Sequence, residues 1–461
     1  MGLRLASSCP ACGAPIGIDA AETAVRCDRC GSAHLVLRGT GTTVAEIASR
    51  TSEEEARALA CAALENEMLR RGRTGPAPSV DSVRSFMAPV RVLVARLHEA
   101  AVVRGADGNP EAEVTTRWTE VARPALRDSL GLPTAAPISE VDARFLSVVS
   151  YRTVSAPQFD AGEDGWATDG KRLEAAHTGV APPLARHAIA FPLARLLVLR
   201  PCRLVSVSAG RWRAGVLVDD AARQATALLS HAAFEALDSE IAHRPLPVSP
   251  PPALRPMRCP ECASPFPLDR HGQLRICPAC HRAFLVAGRR LLPVRYTAEL
   301  PPSPRGRVLV PAWRLTFALE DPRDGRELTS VAAVRSRCGE EGVTGPYEAV
   351  PLDVPAFLPA DRRRERRGTQ TLPSLPAAVL SLCEGPARTE AGFPEPRLVG
   401  AVGPIEAGCI VRHVLLGALR PETVASASAG RLKSLLFDAP LRVEPPRLVL
   451  RSLRRAEVDT A

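Results

Sequence analysis

Eight of the thirteen cysteines form four C-x-x-C pairs: Cys9/Cys12, Cys27/Cys30, Cys259/Cys262 and Cys277/Cys280. Fourteen residues separate Cys12 from Cys27, and fourteen separate Cys262 from Cys277. A C-x-x-C pair in a tight turn points two thiolates at one ion about 2.3 Å away, and two such turns close a tetrahedron. Disulfides need an oxidising compartment, and nothing in the sequence directs export. A redox dithiol would account for one pair but not for two matched sets. The remaining cysteines, Cys61, Cys202, Cys338, Cys383 and Cys409, show no pairing and read as small buried hydrophobes.

Fourteen residues are just enough for a hairpin that folds the second turn back over the first. The spacing is close to the C-x₂-C-x₁₅₋₂₀-C-x₂-C metal pattern. Both segments resemble zinc ribbons, and CPACG (Cys9–Gly13) and CDRCG (Cys27–Gly31) match that family's knuckles well. The resemblance covers about 25–30 residues in each half and implies a small antiparallel β knuckle of the rubredoxin kind around zinc. Iron in the same knuckle is the weaker alternative. The second set departs from the pattern, because Ala263 and His281 stand where the knuckle usually has glycine. Glycine there permits positive φ at little cost, so some strain is expected in the second ribbon. Four thiolates close a site to substrate, so both zinc ions are expected to be structural. His34 and His281 lie beside complete ligand sets and read as surface residues.

The ribbons are offset by 250 residues (259 minus 9), which invites a search for a repeat. Leu199–Arg211 (LRPCRLVSVSAGR) matches Leu419–Arg431 (LRPETVASASAGR) at an offset of 220, with eight of thirteen positions identical. Val90–Val114 parallels Gly306–Val331 at an offset of 216 (306 minus 90), and the order of the three matches is kept. A tandem duplication is therefore expected. The drop from 250 to 216 gives the first half 34 extra residues between Cys30 and Val92. Thr51 or Ser52 as N-cap, Glu53–Glu55 at the positive end and Arg70, Arg71 and Arg73 at the other predict an inserted helix near 52–72. Val90–Val103 and its counterpart Val308–Leu319 each run into a Gly/Asp-rich turn, so both read as strand–turn–strand. Leu196–Leu199, Leu204–Ser208 and Arg213–Asp219 alternate as strands around Ala209–Gly210, and Ala221–Ile241 reads as a helix.

The expected fold is thus α+β and β-rich, each half a ribbon followed by a mostly antiparallel β domain. Its parts are a first ribbon over 1–40, a β-rich domain over 41–242, a Pro-rich linker over 243–256, a second ribbon over 257–292 and a second β-rich domain over 293–461.

Other chemistry is thin. Gly165–Arg172 (GWATDGKR) satisfies G-x-x-x-x-G-K, but Arg172 replaces the Ser or Thr that holds magnesium, and no buried strand precedes it. The same stretch, counted from Asp160, fails a calcium loop at Gly162 and Lys171, so it reads as an exposed loop. There is no G-x-S-x-G and no H-E-x-x-H. His177 and His187 flank a Pro-containing segment without marking a catalytic pair, and Trp313 reads as core. Arg362, Arg363, Arg364, Arg366 and Arg367 form one dense basic cluster that could grip phosphates, with a solvated loop as the bland reading.

The net charge of +9 carries little weight on its own. The basic residues are 57 Arg and 2 Lys, the signature of a GC-rich coding sequence, and only 18 aromatics are available for base stacking. No run of about 18 apolar residues predicts a membrane span. MGLRLASSCP has neither the apolar core of a signal peptide nor a Ser or Thr at Ala6 for myristoylation. These features predict a cytoplasmic protein of bacterial type with two zinc ions. A non-catalytic, bivalent protein-interaction or assembly module comes first. A DNA- or RNA-binding zinc-ribbon protein and an enzyme with an unrecognised site, between the halves or in one β domain, are the alternatives.

Overall fold

The computed structural model describes residues 4–39, 42–104, 110–124, 142–145, 153–159, 163–177, 179–181, 184–246, 252–299, 307–340, 342–343, 350–356, 369–371, 382–384, 399–400, 402–419, 423 and 432–454. The basic cluster Arg362–Arg367 lies outside the described residues, as do the turn 105–109 and most of 420–431.

Strands β1 (Arg4–Ser8), β2 (Pro15–Asp19), β3 (Ala24–Arg26) and β4 (Ala33–Leu37) form two short hairpins, each with a C-x-x-C turn. After β5 (Thr43–Ile47) comes α1 (Glu53–Arg70), the helix expected near 52–72. Ser52 caps it, accepting from the Glu55 amide while the Glu55 carboxylate accepts from the Ser52 amide. Ala56, Ala60, Leu64 and Met68 recur every four residues and meet Val205, Val207, Val216 and Val218. The alanines let the helix lie close on the sheet.

The first half is built on β6 (Ser79–Arg104), β7 (Pro110–Pro124), α2 (Glu163–His177), β8 (Leu184–Ala209), β9 (Trp212–Asp219), β10 (Gln224–Leu229) and α3 (His231–Glu240). Strands β6 and β8, 26 residues each, pair antiparallel along most of their length, with a bulge at Pro192 where proline cannot donate to the ladder. The strands expected at Val90–Val103 and across Leu196–Asp219 are present and pair antiparallel, β6 with β7 and β8 with β9.

Two readings are corrected. Gly165–Arg172 lies in helix α2, not in a loop. Trp166 and Leu173, one heptad apart, pack on Leu93, Ala95 and Leu97, and Asp169 is buried in an ion pair with Arg91 at 2.8 Å. Ala221–Ile241 is not one helix. Gln224–Leu229 pairs with β9 as a strand, and only from Ser230, which caps with its hydroxyl, does the chain turn helical.

In the second half the elements are β11 (Ala253–Pro256), β12 (Leu274–Ile276), β13 (Ala283–Ala287), β14 (Arg290–Val294), β15 (Tyr296–Glu299), β16 (Arg307–Leu315), α4 (Val331–Cys338), β17 (Leu352–Pro355), α5 (Pro404–Cys409), α6 (Val411–Gly417) and β18 (Arg447–Arg454). Trp313 is core as expected, its indole N–H donating to the Val402 carbonyl at 2.8 Å. The Pro-rich segment ends in strands: Ala242–Pro245 pairs with Thr153–Ala156, and β11 pairs with β4 of the first ribbon.

One strand pattern occurs twice. In the first half β5 runs parallel to β8, and β8 antiparallel to β6. In the second, β15 runs parallel to β18, and β18 antiparallel to β16. Superposing the patterns places Leu197-Val198-Leu199-Arg200 on Leu448-Val449-Leu450-Arg451, four identities at an offset of 251 (448 minus 197). Pro89 opposite Leu199 then falls on Pro311 opposite Leu450. Both arginines are buried against an aspartate of the same sheet, Arg200 on Asp219 of the adjacent strand β9 and Arg451 on Asp353 of β17, across β16. By contrast, Leu199–Arg211 is strand and turn, whereas Val411–Gly417 before Leu419 is a helix and Thr423 is helical. Apart from Leu419 and Thr423, the segment Leu419–Arg431 of that sequence match lies outside the described residues.

Candidate metal centres

The four C-x-x-C turns are built alike. In each, the first cysteine carbonyl accepts from the amide four residues on: Gly13 and Gly31 at 2.8 Å, Ala263 and His281 at 2.9 Å. Its own amide donates to the carbonyl five residues on, at 2.8–2.9 Å. The residue after the second cysteine must take positive φ, and all four do: Gly13 and Gly31 at 72°, Ala263 at 59° and His281 at 56°. The strain expected in the second ribbon is thus present at both of its knuckles. An L-residue in this region costs about 1–2 kcal/mol. Ala263→Gly with His281→Gly is expected to slow zinc loss from the second ribbon several-fold, read by competition with a metallochromic chelator; unchanged release would show that the strain is not felt at the metal.

Within each pair the first cysteine is buried (Cys9, Cys27, Cys259, Cys277), while the second is exposed or, at Cys280, half-buried. The sulfurs converge as two tetrads, Cys9/Cys12/Cys27/Cys30 and Cys259/Cys262/Cys277/Cys280, each with all ligand atoms within 4.8 Å of one another. Sulfur separations are 3.7 Å for Cys9–Cys30, 3.8 Å for Cys12–Cys27, 3.6 Å for Cys259–Cys280 and 3.4 Å for Cys262–Cys277. Thiolates about 2.3 Å from a central ion stand about 3.8 Å apart in a tetrahedron. A disulfide needs about 2.05 Å, and all eight thiols are free. The donor set therefore fits a tetrahedral, thiolate-binding ion such as zinc.

One thiol in each tetrad is primed for ionisation. The Ser32 hydroxyl and amide hold the Cys30 thiol down at about 6, and Ser264 holds Cys262 at about 6 in the same way. Burial pushes Cys280 up to about 12. Loading a metal must release the protons of the remaining thiols.

The two ribbons share one core. Ala24, Leu35 and Leu37 of the first pack with Met257, Cys259, Phe266, Cys277 and Phe284 of the second, and the Phe266 and Phe284 rings meet edge-on at 5.9 Å. Thr23 clips them together: its amide donates to the Arg270 carbonyl at 2.6 Å and its hydroxyl to the Gly272 carbonyl at 2.8 Å. Arg275 is buried in the same seam, donating to the carbonyls of Pro267, Asp269 and Gly272 and to the Thr23 hydroxyl.

His34 is a correction. It is 2% exposed, not a surface residue, and its Nε2 lies 3.4 Å from Cys9 Sγ. The cause is register: Ala33–Leu37 (AHLVL) corresponds to Ala283–Ala287 (AFLVA), so His34 fills the place of the buried Phe284. That alignment was the signal available in the sequence. His281 is half-buried.

A second buried polar cluster joins the halves. Arg96 and His98 follow Val92 and Val94 on one face of β6, where the strand leaves the core of its own half and meets α5. The Glu406 carboxylate accepts from Arg96 Nη1 at 2.6 Å and contacts His98 Nε2 at 2.7 Å, while His98 Nδ1 lies 2.9 Å from the Thr116 hydroxyl. Burial pushes the Glu406 carboxyl up, but Arg96, His98 and the Gly403 amide together outweigh it and hold it below its usual value. All four side chains are 0–1% exposed, so this Thr–His–Glu chain is sealed from any substrate. Nearby, His413 of α6 contacts the His187 carbonyl through Nε2 at 3.3 Å, and His187 stacks on Phe437. Of these residues only His187 stood out in the sequence, although two polar residues, Arg96 and His98, on the apolar face of a long strand were a usable sign.

Burial, helped by His98 and His187, pushes His413 down to about 3. A folded value below the ordinary 6.5 means that the unfolded chain takes up the proton first. This contribution is complete above pH 6.5 and is lost as pH falls from there towards 3. The urea midpoint is therefore expected to drop between about pH 7 and 4.5, and to drop less steeply in His413→Leu; parallel profiles would assign the loss to other groups.

Of the unpaired cysteines, Cys202 and Cys338 are buried as expected, Cys61 is half-buried, and Cys409 is exposed, against expectation. Among the described residues no helix is long and apolar enough to cross a membrane. No family model matches the chain, and neither a characterised protein nor a solved structure matches it.

Proposed function

We propose that the protein is a non-catalytic zinc-binding module that presents two ribbons as one platform to a protein partner. The observation that carries this reading is the pair of four-thiol tetrads built from four equivalent turns, with Ala24, Leu35 and Leu37 of the first ribbon packed into the core of the second. Zinc in such closed sites supplies folding energy, on the order of 10 kcal/mol each, and no open coordination position. The doubled β5–β8–β6 and β15–β18–β16 pattern, with β8 and β18 at nearly the ribbon offset, supports a tandem duplication in which both ribbon and sheet were copied. Because the ribbons share a core, a partner would meet them at fixed separation, the geometry in which two contacts reinforce each other.

The test is affinity purification from the source cells of the intact chain beside a Cys12→Ser/Cys262→Ser variant. A stoichiometric protein partner held by the first and lost by the second is expected; no stoichiometric partner would sink the reading. Binding of DNA or RNA that weakens steeply between about 50 and 200 mM salt would favour the nucleic-acid alternative instead.

A further inference from the structure

We propose that His34 makes the two metal centres unequal, holding the first inert and leaving the second as the centre that gives up its metal. The inference rests on the metal-binding reading above and assigns each centre its own behaviour. The second hairpins of the two ribbons share one register at an offset of 250: Val25 opposite His34 corresponds to Arg275 opposite Phe284, and Ala24 opposite Leu35 to Leu274 opposite Leu285. At one buried position beside the metal centre that symmetry is broken: His34, 3.4 Å from Cys9, stands in the first ribbon, and Phe284, in one core cluster with Cys259, stands in the second.

The chemistry follows from the tautomer. His34 Nδ1 is buried and has no hydrogen-bond partner, while Nε2 faces Cys9 Sγ at 3.4 Å. A proton on Nδ1 would bury an unpaired donor and aim the Nε2 lone pair at a thiolate, costly on both counts. The proton therefore sits on Nε2, and the ring donates to the Cys9 thiolate. A four-thiolate centre concentrates negative charge on its sulfurs, and a charge-assisted N–H···S bond withdraws part of it. The sulfur becomes a weaker nucleophile and its bond to the metal is less readily attacked. Phe284 has no donor to offer Cys259. The second ribbon is weakened a second time by Ala263 and His281, which hold positive φ where the first ribbon has glycine. Both differences act in the same direction.

The test uses the full-length, zinc-loaded chain and N-ethylmaleimide, with zinc release followed by a metallochromic dye and alkylated cysteines located by peptide mapping. In each alkylation the thiolate pair forms the sulfur–carbon bond as the metal–sulfur bond breaks, and the maleimide carbanion takes a proton from water. Release in two phases is expected. The faster maps to Cys259, Cys262, Cys277 and Cys280, and the slower is retarded on the order of tenfold, the ratio that one such hydrogen bond supports. His34→Phe, which installs the residue the second ribbon already folds around, should bring the slow phase up to the fast one. Phe284→His should retard the fast phase, and His34→Gln, which keeps an N–H donor, should preserve much of the difference. Two zinc ions leaving together, first-centre cysteines reacting first, or His34→Phe without effect would each overturn the proposal while leaving the metal reading intact. Fewer than two zinc at the outset would overturn both.

Discussion

Replacing Cys277 by alanine is expected to remove the second zinc and to loosen the first ribbon as well. Cys277 is one of four ligands, and it is also buried among Met257, Phe266 and Phe284 in the core that both ribbons share. Loss of a ligand forfeits most of a metal contribution on the order of 10 kcal/mol. Emptying the second site then removes the support of Leu35 and Leu37, and with it the Thr23 contacts to Arg270 and Gly272. Hydrogen exchange should therefore accelerate not only at Leu274–Ile276 and Ala283–Ala287 but also at Ala24–Arg26 and Ala33–Leu37. Independent ribbons would give a different result: one zinc lost, with exchange at β3 and β4 unchanged. That outcome would contradict the shared platform.

The second large effect is expected at the seam between the halves. Glu406→Ala withdraws the carboxylate that Arg96 and His98 both contact at full burial. Removing one partner of a buried pair costs about 3–5 kcal/mol, because the remaining charge stays out of water without compensation. Against a typical stability of about 5–15 kcal/mol, that is a large share. Glu406→Gln keeps hydrogen-bonding capacity but not the charge and should cost less. Urea unfolding measures both, and an unchanged midpoint in Glu406→Ala would show that the cluster does not bear on stability. A separate early transition in that variant would show the halves parting before either unfolds.

The centres were legible in the sequence because their chemistry is local: two turns of C-x-x-C at fixed spacing leave few alternatives. Glycine's role was legible for the same reason, and Ala263 and His281 take the positive φ that their positions imposed. Helix α1 was legible from Ser52 and Glu55, residues that act on their own chain neighbours. What failed was tertiary. Gly165–Arg172 carries loop-like Gly and Asp, yet it is helical because Trp166 and Leu173 find an apolar sheet and Asp169 finds Arg91. Gln224–Leu229 is a strand because β9 offers an edge. His34 looked like a polar residue near a filled site, whereas its place in β4 is a core position. Leu419–Arg431 lies outside the described residues apart from Leu419 and Thr423, whereas strand pairing brings out a likeness of β8 to β18 that no long run of identities announced. Pairing partners record which segments share a place in the fold, and composition-biased Leu, Arg, Ala and Ser do not.

The central claim, two closed four-thiolate centres in one chain, is tested most directly by elemental analysis of the purified protein joined to X-ray absorption at the metal edge. The account predicts two zinc per chain, each with four sulfur neighbours at about 2.3 Å. One zinc or none, or nitrogen and oxygen in the first coordination sphere, would contradict it.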